Sequence, residues 1–293
     1  MRIAMMVEGQ EGITWEQWLA LGHAAEAAQL DGLFRSDHYR SIHRGDPAGG
    51  LDAWVTLGAL AACTEQIRLG TLVSPVTFRH ASVLAKSAVT VDHISGGRVE
   101  LGIGTGWFEP EHAAYRLPFM STAERFDELE RQLAEIDRQW SSEEIWPKSV
   151  QRPHPPVIVG GSAKPRSVAA AVRYADEYNT VVPTLEEARE RYRIVQAAAR
   201  EAGREPLRFS VMVTAVLGRD EAEAEERRRT WLESTTAPVT PQLVGTVDQV
   251  AQALREYESS GVERAMVQHL VHDDLEMVAL LGELARALAG GPA

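Results

Sequence analysis

Short apolar runs alternate with longer amphipathic stretches along the whole chain. Most of the short runs are almost continuously apolar, which is typical of parallel strands that are buried on both faces. The pattern predicts eight strands, at residues 2–7, 32–37, 67–73, 98–104, 156–160, 178–182, 208–217 and 264–270.

The stretches between these runs carry explicit signals for helix starts. Thr14–Gln17, Ser121–Glu124, Thr184–Glu187 and Thr246–Gln249 each fit the capping box, in which two backbone donors of the first helical turn are satisfied. Eight strands that are separated by helices favour a (β/α)8 TIM barrel over an open sheet. No shift in composition marks a second domain, so the sequence predicts one domain over residues 1–293.

Composition narrows the classes of partner. The formal net charge of −12, with no Lys- or Arg-rich block, argues against nucleic acid, which needs a clustered basic surface. The chain opens on a strand pattern with no charged and apolar leader, and no apolar run approaches the roughly 18 residues that span a bilayer. We therefore expect a cytoplasmic protein without membrane contact. Cys63 lies among alanines and is expected to be a small buried residue.

A glycine-rich segment, VELGIGTGWFEPE at residues 99–111, follows the fourth predicted strand. A dinucleotide-binding fingerprint would continue as G-x-G-x-x-G straight into a helix. Here Trp107, Phe108, Glu109 and Pro110 follow the last glycine, and the next helix signal comes only at Ser121. The segment is therefore interpreted as a loop at the mouth of a barrel.

Chemistry in such barrels sits where strands end and the following loops begin. These positions combine small residues, hydroxyls, two imidazoles and an indole, and they lack a carboxylate cluster that would hold a divalent metal. They are Glu8, Ser36-Asp37-His38, Ser74-Pro75, Thr105-Gly106-Trp107, Gly160-Gly161-Ser162, Asn179 and His269.

Among these residues, His38 is the candidate proton donor or acceptor, because histidine titrates near neutral pH. Asp37 should point to the opposite side of the extended chain and anchor structure instead. Glu109 is either an acid of the pocket or a solvated loop residue. His269, with His272 and the two aspartates after it, is read as pocket lining rather than as a metal cluster.

Four motifs occur in this order along the chain: LFRSDHY, IRLGTLVSPVTFRHASVLAKSAVTVDHISGGRVELGIGTGWFEPEH, WPKSVQRPHPPVIVGGSAKP and LVGTVDQVAQALREYESSGVERAMVQHL. Together they resemble the luciferase-like monooxygenase superfamily, and they are most similar to its branch that uses the deazaflavin coenzyme F420. The resemblance implies a barrel with an insertion region, an isoalloxazine-type ring at the C-terminal mouth, and commonly a homodimer.

The resemblance also assigns roles to individual positions. His38 matches the histidine beside the reactive ring, and Ser74 falls where the family often has a bulge with a non-proline cis peptide. The residues implied in cofactor binding are Asp37, His38, Ser74, Thr105, Gly106, Gly160, Gly161 and Ser162. The glycine turn is also credible as a phosphate site by itself, since its backbone N–H groups can converge on an anion. Arg40, Lys164 or Arg166 would offset the anionic cofactor tail.

The chain departs from the family pattern in two places. The proline-rich segment 141–156 is shorter than usual, which implies a reduced lid over the substrate, and its four prolines exclude a regular helix or central strand. ADEYN at 175–179 replaces a frequent A-D-G-W. Trp107, Tyr178 and His269 are expected to line the substrate pocket.

These inferences predict an enzyme that moves hydride between C5 of F420 and a small organic substrate (a carbonyl, imine or activated alkene, or the reverse), with His38 and Glu109 as catalytic candidates. An FMN-dependent monooxygenase is the first alternative. A non-catalytic flavin- or deazaflavin-binding protein is the second, and a metal-dependent hydrolase is disfavoured by the missing ligand cluster.

Overall fold

The structure is a computed structural model, and it describes residues 1–43, 48–234 and 240–290. Strands and helices alternate along the chain. The strands are β1 (Arg2–Val7), β2 (Gly32–Arg35), β3 (Arg68–Thr71), β4 (Ser74–Pro75), β5 (Val99–Gly104), β6 (Val157–Gly160), β7 (Glu177–Val181), β8 (Arg208–Gly218), β9 (Leu243–Thr246) and β10 (Arg264–His269). The helices are α1 (Trp15–Ala27), α2 (Ala53–Cys63), α3 (Ala81–Ser95), α4 (Glu109–Tyr115), α5 (Thr122–Ser141), α6 (Pro165–Tyr174), α7 (Leu185–Glu201), α8 (Glu221–Glu233), α9 (Val247–Ser259) and α10 (Leu275–Ala289).

The strands form a closed parallel barrel in the order β10-β1-β2-β3-β5-β6-β7-β8, and pairing of β8 with β10 completes the ring. The predicted (β/α)8 TIM barrel is confirmed, and each of the eight predicted runs supplies one barrel strand. Two short strands were not predicted. β4 extends the wall beside β5, and β9 pairs with the last residues of β8 after that strand has left the barrel.

The four predicted capping boxes are all present, at the N-termini of α1, α5, α7 and α9. The proline-rich segment after α5 contains no helix or strand, as predicted, but it does not lie near the mouth. Its Val150 N–H donates to Asp92 on α3 at 2.6 Å, and Gln151 Nε2 donates to the carbonyl of Val99, the first residue of β5, at 2.7 Å. The segment therefore packs at the N-terminal end of the barrel, and the expectation that its length governs a lid over the substrate is wrong.

The lower end of the barrel interior is sealed by buried charges. Arg264 on β10 donates to Glu100 at 2.7 Å and to Glu177 at 2.6 Å, and all three side chains are fully buried. Burial alone would raise the pKa of Glu100, but the charges and hydrogen bonds of Arg264 and Arg68 outweigh it and lower that pKa to about 2. Apolar side chains, among them Met6, fill the middle of the barrel.

The outer face of α2 carries no charged side chain, and Cys63 at its end is exposed, which corrects the expectation of a buried cysteine. Val55 on α2 is 73% exposed and Val83 on the neighbouring α3 is 56% exposed. No helix in the described parts of the chain combines the length and apolarity needed to cross a lipid bilayer.

Candidate active site

A cavity of about 280 Å³ opens at the carboxyl ends of the barrel strands. Met6, Leu72 and Met212 supply apolar surface to its wall, and Glu8, His38 and Gln268 supply polar atoms. A concave site that is mostly apolar, with a few converging polar groups, is the usual form of a small-molecule pocket. We refer to this cavity as the mouth cavity.

His38, three residues after the end of β2, is held at the wall of the mouth cavity by a buried carboxylate. Its Nδ1 lies 2.7 Å from Oε1 of Glu111, whose other oxygen accepts the backbone N–H of Tyr39 at 3.1 Å. The ring also meets Trp107 and Phe108 edge to face, at 6.0 and 6.2 Å between centroids. With Nδ1 engaged by Glu111, Nε2 is the nitrogen that remains for a ligand.

The pKa of His38 is raised above its ordinary value. Burial opposes this shift, but the hydrogen bond and charge of Glu111, with smaller contributions from Glu8 and Asp37, outweigh burial. The protonated ring is therefore favoured toward neutral pH, so His38 can present a proton at Nε2.

Glu111 was missed by the sequence reasoning, which chose Glu109. The structure begins α4 at Glu109, which is exposed, while Glu111 is 1% exposed and points inward. Because the next helix was expected only at Ser121, residues 109–115 were not read as a helix, and the inward position of Glu111 on it was not recognised. Pro110 in the first turn of a helix, where its missing N–H costs nothing, was the available signal.

Asp37 and Ser74 lie inside the wall rather than in the mouth cavity. Asp37 accepts hydrogen bonds from Ser74 Oγ at 2.8 Å and from Arg79 Nη1 at 2.5 Å, and Ser74 in turn accepts from Trp54 Nε1 at 3.0 Å. The anchoring role expected of Asp37 matches this placement. The hydroxyl of Ser74 is already used, and the non-proline cis peptide joins Leu72 and Val73, just before it.

Thr105 and Gly106 follow β5 as the sequence predicted. Gly106 adopts φ +74°, and a Cβ there would approach Pro75 and Thr77 at 3.0 and 3.1 Å, so the turn requires glycine. Both residues are half-buried beside the exposed Trp107. The loop is therefore shaped by local packing, and of its residues Trp107 borders the mouth cavity.

The turn Gly160–Ser162 leads into α6, whose N-terminus has no side-chain cap. A Cβ on Gly161 would lie 2.8 Å from the hydroxyl of Tyr178, so packing explains this glycine, whereas one on Gly160 would meet only the Asn179 carbonyl at 3.5 Å. Ser162 and Lys164 are exposed at the uncapped helix start.

Of the cations considered for the cofactor tail, Arg166 is already paired with Asp127 and Glu130. Lys164 forms no ion pair with any described residue and stands beside the free N–H groups of α6. The backbone of Arg40 pairs with that of Gly49 in an isolated antiparallel β-bridge. Lys164 is therefore the cation best placed for an anion at this turn.

Tyr178 and His269 face away from the mouth cavity, which corrects the prediction that they line it. The Tyr178 hydroxyl accepts the Ala163 N–H at 2.9 Å, and its ring stacks on Phe209 at 6.1 Å in the layer beneath the helices. His269 is buried against α8 and α10 beside Arg227 and Asp274. Side chains alternate along a strand, so the preceding Gln268 points inward instead.

The environment of His269 makes its imidazole neutral. Burial, assisted by the charge of Arg227, lowers the pKa of His269 to about 4, although Asp274 opposes the shift. Its Nε2 has no hydrogen-bond partner among the described residues and borders a void of about 20 Å³, enough for one water molecule. In the described part of the chain, no three His, Cys, Asp or Glu side chains are grouped to hold a metal ion.

The floor of the mouth cavity is a hydrogen-bonded cluster that the sequence reasoning did not assemble. Glu8 accepts from Gln268 Nε2 at 2.6 Å and from Gln10 Nε2 at 2.8 Å. Ser36 donates to Gln10 Oε1 and accepts the N–H of Gly9 at 3.0 Å. The cluster joins β1, β2 and β10, so it forms only in the closed barrel.

The family model of luciferase-like monooxygenases matches residues 1–242. An uncharacterized protein of Mycobacterium tuberculosis is 34% identical over 171 residues, which are 54% of this chain and 59% of that protein. The F420-dependent glucose-6-phosphate dehydrogenase of Beutenbergia cavernae is 29% identical over 276 residues, 87% of this chain and 80% of that enzyme. The monooxygenase RslO1 from Streptomyces bottropensis shares the fold, with a TM-score of 0.82 at 22% identity over the full length of both chains.

The protein thus has a closed (β/α)8 barrel with a cavity at its mouth, and it belongs to the luciferase-like monooxygenase family. Its relatives include F420-dependent oxidoreductases.

Proposed function

We propose that the protein is an F420-dependent oxidoreductase that transfers hydride between C5 of the deazaflavin and a small organic substrate. The observation that carries this proposal is the pair of His38 and buried Glu111 at the mouth cavity, because Glu111 holds an imidazole of raised pKa, which is suited to donate a proton, beside a pocket. The similarity to an F420-dependent dehydrogenase over most of both chains supports the choice of cofactor.

The residues of the mouth fit such a cofactor. Apolar surface at Met6, Leu72 and Met212 suits a flat ring, and the uncapped start of α6 with Lys164 suits an anionic tail. When bound, the deazaflavin supplies or accepts hydride at C5. The work of the protein is then to orient the ring, exclude water and manage the accompanying proton.

His38 would perform the proton step at Nε2. A carbonyl, imine or activated alkene that gains hydride develops negative charge, which a protonated His38 neutralises; in the reverse direction the neutral ring takes the proton. Glu111 fixes the ring through Nδ1 and stabilises its charged form. Glu109 has no contact with this pair and is not assigned a role.

Titration of the purified protein with F420 and with FMN, followed by fluorescence, tests the proposal. We expect F420 to bind at micromolar concentration or below, and FMN to bind more weakly. An FMN affinity tenfold greater than that for F420, a difference of about 1.4 kcal/mol, would contradict it.

An FMN-dependent monooxygenase is the second candidate, because the family model that matches the chain is that of luciferase-like monooxygenases. In that case His38 would meet a reduced flavin that reacts with oxygen. The titration with F420 and FMN separates the two candidates, and oxygen uptake with reduced FMN would support the second.

We also propose that two copies associate through α2 and α3. The exposed side of α2 is uncharged, which is characteristic of buried helices, and with Val83 and Ile94 of α3 it borders an open depression of about 860 Å³. Arg79 at its edge is already paired with Asp52 at 2.5 Å, so apolar side chains make up most of this surface, which can pack against the same surface of a second copy across a twofold axis. Light scattering should give a dimer, and the double substitution Val55→Glu with Val83→Glu should give monomers.

A further inference from the structure

The two neighbours of His38 in the chain are held by one arginine. His38 borders the mouth cavity, whereas Asp37 and Tyr39 both contact Arg79, which does not border it. Residues two apart in an extended chain point to the same side, and the residue between them points to the other. Arg79 therefore grips the chain from the side of the wall while His38 faces the cavity.

Arg79 lies between β4 and α3 and joins the two ends of the connection from β2 to α2. Its Nη1 donates to Asp37 at 2.5 Å, and its Nη2 donates to Asp52 at 2.5 Å and to the Tyr39 hydroxyl at 3.2 Å. The Tyr39 hydroxyl itself donates to Asp52 at 2.8 Å. One planar guanidinium thus links the start of this connection to the residue that caps α2.

Arg79 is in turn fixed by its own surroundings. Its carbonyl accepts Gln132 Nε2 of α5 at 3.1 Å, and the preceding Phe78 stacks on Tyr39 with 4.8 Å between ring centroids. The side chain of Arg79 is 11% exposed. Burial alone would lower the pKa of Arg79, but Asp37 and Asp52 outweigh burial and raise that pKa, so the guanidinium stays charged.

The contacts of Glu111 depend on the same piece of chain. One oxygen of Glu111 binds Nδ1 of His38 at 2.7 Å, and the other accepts the N–H of Tyr39 at 3.1 Å. A shift of residues 37–39 would lengthen both contacts together. Loss of Arg79 would cause such a shift, because Asp37 is fully buried and would be left without the cation that it binds.

We propose that Arg79 is a positioning residue for the proton step of His38. By holding both neighbours of His38, it keeps Nδ1 on Glu111, and Nε2 then remains the nitrogen that exchanges a proton with the substrate. The proposal rests on the proposed function for the chemistry of His38. The placement of the ring by Arg79 can be measured without any cofactor.

NMR of the cofactor-free protein with ¹⁵N-labelled histidine reports this placement. A carboxylate only accepts, so neutral His38 carries its proton on Nδ1 as long as it binds Glu111, and the shifts of the ring nitrogens show which of them is protonated. The signal of His38 is assigned by its absence from His38→Gln. At a pH at which His38 is neutral, Arg79→Met should reduce the Nδ1–H form from nearly all of the ring to about half or less.

The kinetic effect should fall on kcat. With a substrate in hand, Arg79→Met should lower kcat about 10- to 100-fold, because a displacement of about 1 Å at a catalytic group has an effect of this size. KM and the affinity for F420 should stay within about twofold, since Arg79 does not border the cavity. Arg79→Lys keeps the charge but lacks the fork that spans two carboxylates, so it should lie between the wild type and Arg79→Met.

Arg227→Met is the matched control. The side chain of Arg227 is 12% exposed, and it likewise binds two carboxylates, Glu223 and Asp274. It lies beside His269, outside the barrel wall. Arg227→Met should lower the free energy of unfolding about as much as Arg79→Met, measured in urea, and should change neither the Nδ1–H form of His38 nor kcat.

A loss of the Nδ1–H form together with a fall in kcat supports the proposal, and either change alone overturns it. If Arg79→Met is destabilised but leaves both unchanged, as Arg227→Met should, Arg79 only stabilises the fold. If Arg79→Met does not fold, Arg79→Lys is measured instead, and wild-type values of both quantities overturn the proposal. If the wild type binds no F420, the proposed function fails, and the NMR comparison alone decides whether Arg79 places the ring.

Discussion

Both ends of the barrel interior contain buried carboxylates, but the groups that pair with these carboxylates differ between the two ends. At the N-terminal end, Arg264 satisfies Glu100 and Glu177, and Arg68 adds a second cation to Glu100. At the C-terminal end, Glu8 receives only neutral amides, and Gln268 keeps an acceptor with no donor. The first network joins opposite charges, whereas the second holds a carboxylate by neutral donors at the end of the barrel where the mouth cavity opens.

The same contrast appears in the ionisable groups. The pKa of Glu100 is lowered to about 2, so its charge is constant over all ordinary conditions. The pKa of His38 is raised by the hydrogen bond and charge of Glu111, which outweigh burial, and histidine is the side chain whose charge ordinarily changes near neutral pH. The charge of Glu100 at the sealed end is therefore fixed, whereas the charge of His38 at the open end can change.

Removing Arg264 from the charge network of the sealed end should cause the largest loss in the free energy of unfolding. Arg264→Met leaves Glu100 and Glu177 buried without their cation, and loss of one partner from a buried charge network costs about 3–5 kcal/mol. Urea unfolding followed by circular dichroism measures this loss. Adding Glu100→Gln and Glu177→Gln to Arg264→Met should recover much of the stability; a loss below about 1 kcal/mol in Arg264→Met alone would show that the network contributes little.

Breaking the open end should affect turnover and leave stability nearly unchanged. His38→Ala removes the proton donor, and with a substrate in hand kcat should fall at least about 10²-fold while the affinity for F420 falls much less. Single-turnover hydride transfer at the wild-type rate would exclude His38 as the donor. Tight cofactor binding without any turnover in the wild type would instead favour a cofactor-binding protein.

Glu111→Gln sharpens the assignment of His38. It keeps a hydrogen-bonding partner but removes the charge that raises the pKa of His38, so that pKa should fall. For reduction of a substrate, the rate declines as pH rises through the pKa of His38, and the variant should shift this decline to lower pH. An unchanged pH profile would mean that Glu111 only fills space.

His269 lies outside the wall and should control stability rather than activity. Its pKa is about 4 in the folded protein and about 6.5 in the unfolded chain, so the unfolded state binds more protons between these values. Stability is fully present above about pH 6.5 and is lost as pH falls toward 4, by about 2 kcal/mol at pH 5. Comparing urea unfolding at pH 7 and pH 5 should show this component in the wild type and its absence in His269→Phe.

The smallest effect is expected at the turn that leads into α6. Lys164→Ala removes an exposed cation, so the affinity for F420 should fall about two- to fivefold at low ionic strength and less at high salt. Arg193→Ala, an exposed cation on α7, serves as control. If Lys164→Ala and Arg193→Ala bind F420 equally, the anionic tail lies elsewhere.

The fold could be predicted because apolar runs and capping boxes are local signals, and each of them is present in the barrel. The candidate site was predicted only in part. Tyr178 and His269 were chosen at strand ends, but Asn179 and Gln268 face inward. Strand side chains alternate, so an error of one residue in phase exchanges the two faces of the wall.

Glu111 was lost for a different reason. Because of its three glycines and Pro110, the segment after β5 was predicted to be a loop. The inward and outward faces of a helix were therefore not considered there. The partner of His38 is also 73 residues distant in sequence, and no local pattern reports such a contact. His38 itself was found because it directly follows the predicted strand at residues 32–37.

Barrel closure has a consequence for how the chain is made. Both networks depend on β10: Arg264 meets Glu100 across 164 positions, and Gln268 meets Glu8 across 260. A ribosome adds residues in order, so Glu8, Glu100 and Glu177 remain hydrated until β10 has emerged and docked between β1 and β8. Docking of this one strand therefore completes the sealed end and the floor of the mouth cavity together, and a nascent chain without it has neither.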